Sequence, residues 1–161
     1  TMERVEQGED KNVIDEAARV FGMPMGPIEL ADQVGLDVCA NVGKVLGKSA
    51  EGTKLQAMID AKKLGKKSGE GFYVWKDGKA QHGEVKADKA KLEALGRELV
   101  EPLIREAEKV RDEKIVESAD LVDAGIIFGT GFAPFRGGPL HYKANEPKSN
   151  VTPLRPPQAA E

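Results

Sequence analysis

The sequence VFGMPMGPIELADQVGLDVC, residues 20–39, contains the strongest indications of how this chain folds. Phe21 and Gly22 end an amphipathic segment, and two prolines prevent one continuous helix through the middle of the stretch. Because proline fits the first position of a helix, a second helix is predicted to begin near Pro27. Its apolar positions continue up to Gly35, a residue typical of helix C-terminal caps. The stretch therefore predicts a helix, a bent apolar corner and a second helix.

Further amphipathic segments are predicted on both sides of this corner. The helix before it has Asp10 or Asn12 as its N-cap. Apolar residues recur in that helix at helical spacing: Val13, Ile14, Ala17, Val20 and Phe21. Two shorter amphipathic segments, 42–46 and 55–64, follow the corner and are separated by a polar segment that contains glycine. The first part of the chain is therefore predicted to be helical.

An extended arm is predicted after these helices. The segment Gly69-Glu70-Gly71-Phe72-Tyr73-Val74-Trp75 is rich in aromatic and β-branched residues, and Asp77-Gly78 is a turn pair typical of hairpins. Aromatic residues make up only 5% of the chain, so their concentration here favours anchoring of the arm on the helices. A binding pocket is the alternative interpretation.

A second helical unit is predicted beyond the polar segment 80–88. A long helix runs from Lys89 to about Lys114, and Pro102 inside it is expected to bend it near Glu98. A shorter helix over 118–128 and a turn-rich corner follow. From Lys143 the chain is polar and rich in proline, which predicts a disordered tail.

The two corners indicate an internal repeat at an offset of about 107 residues. In this alignment the residues Ala17, Phe21, Gly22 and Pro27 pair with Ala124, Phe128, Gly129 and Pro134. The shared positions lie at a helix end and a turn, where backbone geometry restricts residue choice. We therefore predict that Gly22 and Gly129 both adopt positive φ as helix caps.

Composition excludes several classes of function. A formal net charge of −3 gives no electrostatic reason to bind nucleic acid. The longest apolar runs are too short for a membrane span, and the first residues do not form an export signal, so a cytoplasmic location is predicted. Cys39 is the single cysteine and cannot form an internal disulfide. His82 and His141 are too far apart for metal-ligand spacing, so no metal site is predicted.

Two segments carry a family resemblance. FGMPMGPIELADQVGLDV and GKKSGEGFYVW, which begin about forty residues apart, closely resemble the C-terminal helical domain of the L-3-hydroxyacyl-CoA dehydrogenase family, including its multifunctional fatty-acid oxidation proteins. A third segment, FGTGFAPFRGGPLHY, resembles the second C-terminal copy of the multifunctional members. The resemblance implies an all-α fold of two tandem units joined through a short extended arm. The implied boundaries are 1–79 for the first unit, 80–88 for a linker, 89–142 for a degenerate second unit and 143–161 for a disordered tail.

The resemblance also implies a reaction. Members of the family oxidise (3S)-3-hydroxyacyl-CoA with NAD, and an N-terminal dinucleotide-binding domain outside these 161 residues supplies the NAD site and the catalytic histidine and glutamate. The implied partners are acyl-CoA and that domain, and the resemblance also allows a homo-oligomer. In the second unit Arg105 replaces the asparagine of the family's Pro-x-x-Asn-Glu-Ala segment. We therefore expect a structural second copy, no catalytic or cofactor-binding residue here, and no activity of this chain alone.

Four residues of the corner are the candidate substrate-binding residues: Met23, Met25, Pro27 and Leu30. Methionine is adaptable and apolar, and the prolines hold the turn rigid, so these residues are expected to line the cleft for the acyl chain. Packing in the protein core is the alternative. Downstream, a lysine cluster is expected either to interact with a helix dipole or to contact coenzyme A phosphates: Lys62, Lys63, Lys66 and Lys67.

Two functions from different classes fit these observations. One is the C-terminal part of a 3-hydroxyacyl-CoA dehydrogenase from a multifunctional β-oxidation enzyme, which forms one wall of the acyl-CoA cleft and supports assembly. The other is a stand-alone helical interaction or dimerisation module without enzymatic activity. The codons before Thr1 distinguish the two.

Overall fold

The computed structural model describes residues 1–145. The α-helices are α1 (Met2–Glu6), α2 (Lys11–Phe21), α3 (Pro27–Val34), α4 (Leu36–Val45), α5 (Lys54–Asp60), α6 (Lys89–Asp112), α7 (Ala119–Thr130) and α8 (Pro139–Asn145). Two short 3₁₀ turns occupy Lys66–Ser68 and Pro134–Arg136. The prediction of an all-α fold is confirmed. None of the helices in this part of the chain has both the length and the apolar composition of a membrane span.

The extended arm ends in a hairpin, as predicted. Strand β1 (Trp75–Lys76) pairs antiparallel with β2 (Lys79–Ala80). The turn residues Asp77 and Gly78 have φ of 49° and 74°. Positive φ at both central residues is what a type I′ hairpin turn requires, and it explains the Asp-Gly pair.

The predicted start and stop signals of the first corner are confirmed. The Asp10 carboxylate caps α2 by accepting a 2.8 Å hydrogen bond from the Asn12 backbone N–H. Gly22 ends α2 with φ of 115°, and α3 begins at Pro27. Gly35 then separates α3 from α4 with φ of 109°. Glycine is required at both caps because a side chain is strained in this region of φ.

Helix α6 connects the two units. Its N-terminal half packs along α2, where a Cβ atom on Gly96 would lie only 2.6 Å from the Ala17 carbonyl oxygen. The two backbones therefore cross in close contact. Beyond Pro102, which stands inside the continuous helix, α6 packs on α7 and α8. One apolar cluster draws on both units, and its buried members are Phe21, Val100, Ile104, Phe132, Ala133 and Tyr142.

The internal repeat has a different register from the one that sequence identities predicted. Gly129 lies inside α7, and the left-handed cap is Gly131, with φ of 70°. Phe128 is 89% exposed, whereas Phe21 is 2% exposed, so those two phenylalanines are not counterparts. The offset of 107 and the predicted positive φ of Gly129 are therefore wrong. The Phe-Gly pair at 128–129 is identical to the pair at 21–22 by chance. The difference in burial that separates the two pairs is not visible in a sequence.

Two buried aspartates set the correct register. Asp15 on α2 accepts hydrogen bonds from the backbone N–H groups of the second and third residues of α3, and Asp123 on α7 does the same for α8. Each of these two helices begins with a Gly-Pro pair whose glycine presses on the aspartate. A Cβ atom on Gly26 would lie 2.1 Å from Asp15 Cγ, and one on Gly138 would lie 2.3 Å from Asp123 Cβ. Pro139, and not Pro134, is the counterpart of Pro27.

The two corners contact each other reciprocally. A Cβ atom on Gly22, the cap of the first corner, would lie 2.5 Å from Phe135 Cζ in the second corner. A Cβ atom on Gly131, the second cap, would lie 2.9 Å from Pro24 Cγ in the first corner. The Arg136 side chain adds a 2.7 Å hydrogen bond from Nε to the Phe21 carbonyl at the end of α2. The two units are therefore arranged as an approximately symmetric pair.

The end of the second unit differs from the prediction by a few residues. Helix α8 continues to Asn145, so residues 143–145 are helical, whereas the tail was predicted to start at Lys143. The rest of the predicted tail, residues 146–161, lies outside the described part of the chain. Helices α6 and α7 match their predicted ranges to within two residues at either end.

Candidate functional site

Helices α3 and α4 carry apolar side chains that this chain leaves exposed. Leu30, Val34, Val38 and Val42 are each between 41% and 52% exposed. Val45 and Leu46, at the end of α4, are exposed further. We call these six residues the α3–α4 surface. A group of exposed apolar side chains marks a contact surface for a ligand or another domain.

Asp15 fixes the corner from which α3 starts. Its buried carboxylate accepts hydrogen bonds from Ile28 N at 2.7 Å, Glu29 N at 2.9 Å and the Tyr73 hydroxyl at 2.9 Å. Burial raises the pKa of the Asp15 carboxyl, although the hydrogen bonds from Ile28 and Tyr73 act in the opposite direction. Burial, followed by the neighbouring Asp15 charge, raises the pKa of the Tyr73 hydroxyl. The Asp15 carboxylate, through these hydrogen bonds, holds the first turn of α3 at a fixed position.

Asp32 anchors the aromatic arm on α3. Its buried carboxylate accepts hydrogen bonds from Phe72 N at 2.9 Å, Tyr73 N at 2.8 Å and the Trp75 indole N–H at 3.1 Å. A Cβ atom on Gly71 would lie 2.2 Å from Asp32 Oδ1, so the arm requires glycine there. The three aromatic side chains are buried as well. The prediction that they anchor the arm is confirmed.

The four candidate substrate-binding residues lie on one corner but differ in exposure. Met23 is half-buried and packs against the apolar cluster around Phe21. Met25 and Pro27 are half-buried, and Leu30 is 49% exposed on the α3–α4 surface. Met23 therefore contributes to the core, while Leu30 is open to a ligand. The assignment of the four residues to an acyl cleft stays a prediction.

The lysine cluster is largely engaged within the chain. Lys63 Nζ lies 2.6 Å from Glu70 Oε1, and Lys67 Nζ lies 2.6 Å from Asp37 Oδ1. Lys66 Nζ lies 5.3 Å from the centre of the Trp75 ring, within the range of a cation–π contact. These contacts favour a structural role for the cluster over phosphate binding.

A group of polar side chains surrounds the Asp15–Tyr73 pair. Ligand atoms of Asp15, Glu29 and His82 lie within 4.8 Å of one another, which is close enough for a cation. The Asp15 carboxylate is already satisfied by three donors, however, and the Arg19 guanidinium forms an ion pair with Glu29. A metal ion would have to displace that guanidinium. The group therefore fits a polar contact between α2, α3 and the linker.

A cavity of about 530 Å³ lies between α1, α4 and the segment before α5. Its lining includes Met2, Cys39, Ala40 and Leu55. Burial raises the pKa of the Cys39 thiol, which suits a small apolar residue better than a nucleophile. Neither this cavity nor a second one beside Ile115 includes any of the four predicted residues.

Sequence reasoning missed the three buried aspartates, Asp15, Asp32 and Asp123. Each stands on the side of a helix that otherwise faces the core, and a buried charged residue is rare unless it is paired. An acidic residue on an apolar helix face was the available signal. The sequence does not indicate which backbone groups such a residue bonds.

Comparison with known proteins relates the sequence of this chain to one family. Residues 1–75 match the model of the 3-hydroxyacyl-CoA dehydrogenase C-terminal domain. The chain is 35% identical over 150 residues to a fatty acid oxidation complex subunit alpha of Vibrio cholerae, covering 84% of this chain and 21% of the relative. For the subunit alpha of Shewanella sp. strain ANA-3 the identity is 35% over 156 residues, covering 84% and 22%.

A third relative has the same level of sequence identity. The fatty acid oxidation complex subunit alpha of Pseudomonas syringae pv. syringae is 35% identical over 165 residues, covering 86% of this chain and 22% of the relative. The chain spans about a fifth of the length of these relatives. The similarity therefore concerns a limited part of each relative and includes more of this chain than the first unit.

Proposed function

This chain belongs, through residues 1–75, to the 3-hydroxyacyl-CoA dehydrogenase C-terminal domain family, and on that premise we propose that it is the C-terminal part of an NAD-dependent (3S)-3-hydroxyacyl-CoA dehydrogenase. The full-length protein is a multifunctional enoyl-CoA hydratase/dehydrogenase of fatty-acid β-oxidation. In it, this chain forms one wall of the acyl-CoA cleft and supports the assembly of the enzyme.

The observation that carries this proposal is the exposure of the α3–α4 surface beside a corner that is otherwise fixed. Leu30 and Val34 are half exposed, whereas Ile28 and Leu36 on the same corner are fully buried. Asp15 and Asp32 hold the backbone around them, so the exposed side chains start from a rigid support. A rigid apolar wall suits an acyl chain or an apposed domain, because little conformational entropy is lost on contact.

We assign the oxidation step to the dinucleotide-binding domain, which lies outside this chain. NAD and the catalytic residues belong to the dinucleotide-binding domain, and this chain supplies no cofactor site. We expect the isolated chain neither to oxidise 3-hydroxyacyl-CoA nor to bind NAD. Its contribution is to exclude water and position the substrate, which raises the rate without a reacting group of its own.

A reconstitution experiment tests the proposal. The chain is mixed with a separately produced N-terminal part of the same protein, and NADH formation from a 3-hydroxyacyl-CoA is measured. Recovery of activity is expected, and Val34→Asp should reduce it at least tenfold, since a desolvated charge would enter the contact surface. Ile115→Asp, at a 65% exposed position in the second unit, is the matched control and should leave it unchanged.

Two outcomes would contradict the proposal. NAD turnover by this chain alone would refute the assignment of chemistry to another domain. Equal recovery by the wild type and the Val34→Asp variant would show that the α3–α4 surface is not part of the cleft. The alternative, a stand-alone helical interaction module, is favoured if no dehydrogenase domain is encoded before Thr1.

A further inference from the structure

Residues 22–26 connect the end of α2 to the start of α3 and carry two of the candidate substrate-binding residues, Met23 and Met25. The α3 end of this loop is fixed by the first unit itself. A Cβ atom on Gly26 would lie 2.1 Å from Asp15 Cγ, and the same carboxylate binds the first turn of α3. The α2 end of the loop is held differently, because there it meets residues of the second unit.

The Arg136 side chain of the second unit reaches the last residue of α2. Its Nε donates a 2.7 Å hydrogen bond to the Phe21 carbonyl oxygen, and its guanidinium carbon lies 4.2 Å from the centre of the Phe21 ring. Carbonyl groups at a helix C-terminus lack partners inside the helix and form the negative end of its dipole, so a guanidinium is favoured there. The contact with the ring adds a cation–π attraction. Arg136 therefore binds both the backbone and the side chain of the residue before the cap Gly22.

Arg136 itself comes from a turn of fixed shape. Pro134–Arg136 is a 3₁₀ turn that begins with proline and ends at Gly137, whose φ is 77°. The guanidinium carbon also lies 5.2 Å from the centre of the Tyr142 ring and 5.3 Å from that of the Phe135 ring. With the ring at the end of α2, the guanidinium has three aromatic neighbours. The side chain is therefore confined to the position from which it binds α2.

The second unit supports the loop at further points. Two contacts described above, at Gly22 and Pro24, join the loop to the second corner. Between them, Met23 packs against an apolar cluster that includes buried residues of the second unit: Phe132, Ala133 and Tyr142. Together with Phe21, four consecutive residues before Met25 therefore contact the second unit.

We propose that Arg136 is a positioning residue for the substrate of the full-length enzyme. It fixes the end of α2, and through the loop it fixes the place of Met25 on the wall of the acyl cleft. A wall residue that is held in advance loses little conformational entropy when the acyl chain binds, whereas a loose one has to be ordered at a cost in affinity. This proposal rests on the proposed function, since it takes Met25 to line the cleft. It gives the second unit a part in selecting the length of the acyl chain, beyond support of the fold.

A double-mutant cycle in the full-length enzyme tests the proposal. The ratio of kcat/KM between a long and a short 3-hydroxyacyl-CoA is measured for the wild type, Arg136→Gln, Met25→Ala and the double variant. We expect Arg136→Gln to change this ratio at least about fivefold, in the same direction as Met25→Ala. In the Met25→Ala background the same substitution should change it less than about twofold, because the side chain through which Arg136 acts is gone.

A milder variant accompanies Arg136→Gln in case that protein does not fold. Arg136→Lys keeps the charge and a donor but lacks the planar group that faces the Phe21 ring. It should change the ratio in the same direction as Arg136→Gln and by a smaller factor. The melting temperature of each variant is measured alongside the kinetics.

Two controls separate positioning from loss of stability. Val122→Ala shortens a buried side chain in a different apolar cluster of the second unit, and it should lower the melting temperature without changing the ratio. Lys143→Gln removes the charge of a surface ion pair with Glu101 in the second unit, and it should change neither quantity. An equal change of the ratio in Val122→Ala would reduce the effect of Arg136 to one of stability and overturn the proposal.

The remaining outcomes distinguish this proposal from the proposed function. An unchanged ratio in both Arg136 variants, with a changed ratio in Met25→Ala, would overturn this proposal and leave the cleft assignment in place. Fully additive changes in the double variant would show that Arg136 does not act through Met25, which also overturns it. An unchanged ratio in Met25→Ala would overturn the cleft assignment, and this proposal with it.

Discussion

The hydroxyl group of Tyr73 donates a 2.9 Å hydrogen bond to Oδ2 of Asp15, and both side chains are buried. Tyr73 belongs to the aromatic arm, whereas Asp15 lies on α2 and holds the first turn of α3. One carboxylate therefore joins the arm, α2 and α3. The bond explains how two sequence segments about forty residues apart act as one structural unit.

Removing the Tyr73 hydroxyl should weaken the first unit. We expect Tyr73→Phe to lower the free energy of unfolding by about 1.5–3 kcal/mol, because a hydrogen bond to a buried charged group is lost. Urea unfolding followed by circular dichroism measures the change. Phe72→Leu, which keeps an apolar side chain at the neighbouring buried position, provides the comparison for loss of packing alone. A change below about 0.5 kcal/mol for Tyr73→Phe would contradict a stabilising role for the bond.

The same residue should make stability depend on alkaline pH. The folded state raises the pKa of Tyr73 above its ordinary value near 10, so the folded chain binds this proton more tightly than the unfolded chain. The resulting stabilisation is fully present below pH 10 and decreases as the pH rises above it. In Tyr73→Phe this component of the decline should be absent. Parallel curves for wild type and variant between pH 9 and 11 would argue against the shift.

The cap of the first corner should tolerate no side chain. Gly22→Ala forces alanine to a φ of 115° and places its Cβ 2.5 Å from Phe135 Cζ and 2.8 Å from Ala133 Cβ. We expect a loss of about 2 kcal/mol or more, since backbone strain and steric overlap add. Thermal unfolding measures it. Combining Gly22→Ala with Phe135→Ala should recover only the steric part that involves Phe135, and full recovery would mean that neither φ nor the overlap with Ala133 contributes.

Two helical glycines should respond to alanine with opposite signs. Gly96→Ala places a Cβ atom 2.6 Å from the Ala17 carbonyl oxygen, so it should destabilise the chain in spite of the better helix propensity of alanine. A Cβ atom on Gly129 would meet no atom of residues 1–145 within 4 Å, so Gly129→Ala should stabilise the chain by up to about 1 kcal/mol. Chemical denaturation of the two variants side by side provides the test. Equal changes would show that the crossing of α2 and α6 is looser than described.

The corner should influence substrate preference in the full-length enzyme. If Met25 lines the acyl cleft, Met25→Ala should change the ratio of kcat/KM between long and short 3-hydroxyacyl-CoA substrates by severalfold and lower the melting temperature only slightly. Met58→Ala, at a half-buried methionine against the core of the first unit, should do the reverse. A large loss of stability with unchanged preference in Met25→Ala would favour plain core packing.

Local sequence signals determined the secondary structure well. The start of α3 at Pro27, the caps at Gly22 and Gly35 and the hairpin turn at Asp77 were predicted correctly, and Asp10 was one of the two residues predicted as the N-cap of α2. Each depends on the conformational limits of one or two residues, namely the fixed φ of proline, the access of glycine to positive φ and the reach of a short carboxylate. Such limits act within a few residues and are therefore visible in a sequence.

The tertiary structure alone decided which residues pair across the chain. The sequence aligned Gly22 with Gly129, but the hydrogen bonds of Asp123 place the second corner in another register with Gly131 as its cap. Asp32 likewise became the anchor of the arm only through its bonds to backbone groups forty residues away. A carboxylate in a sequence does not specify its donors, because they are brought to it by the packing of whole helices. The exposure of the α3–α4 surface, and of Leu121 and Phe128 on α7, has the same origin, since burial depends on the complete set of neighbours.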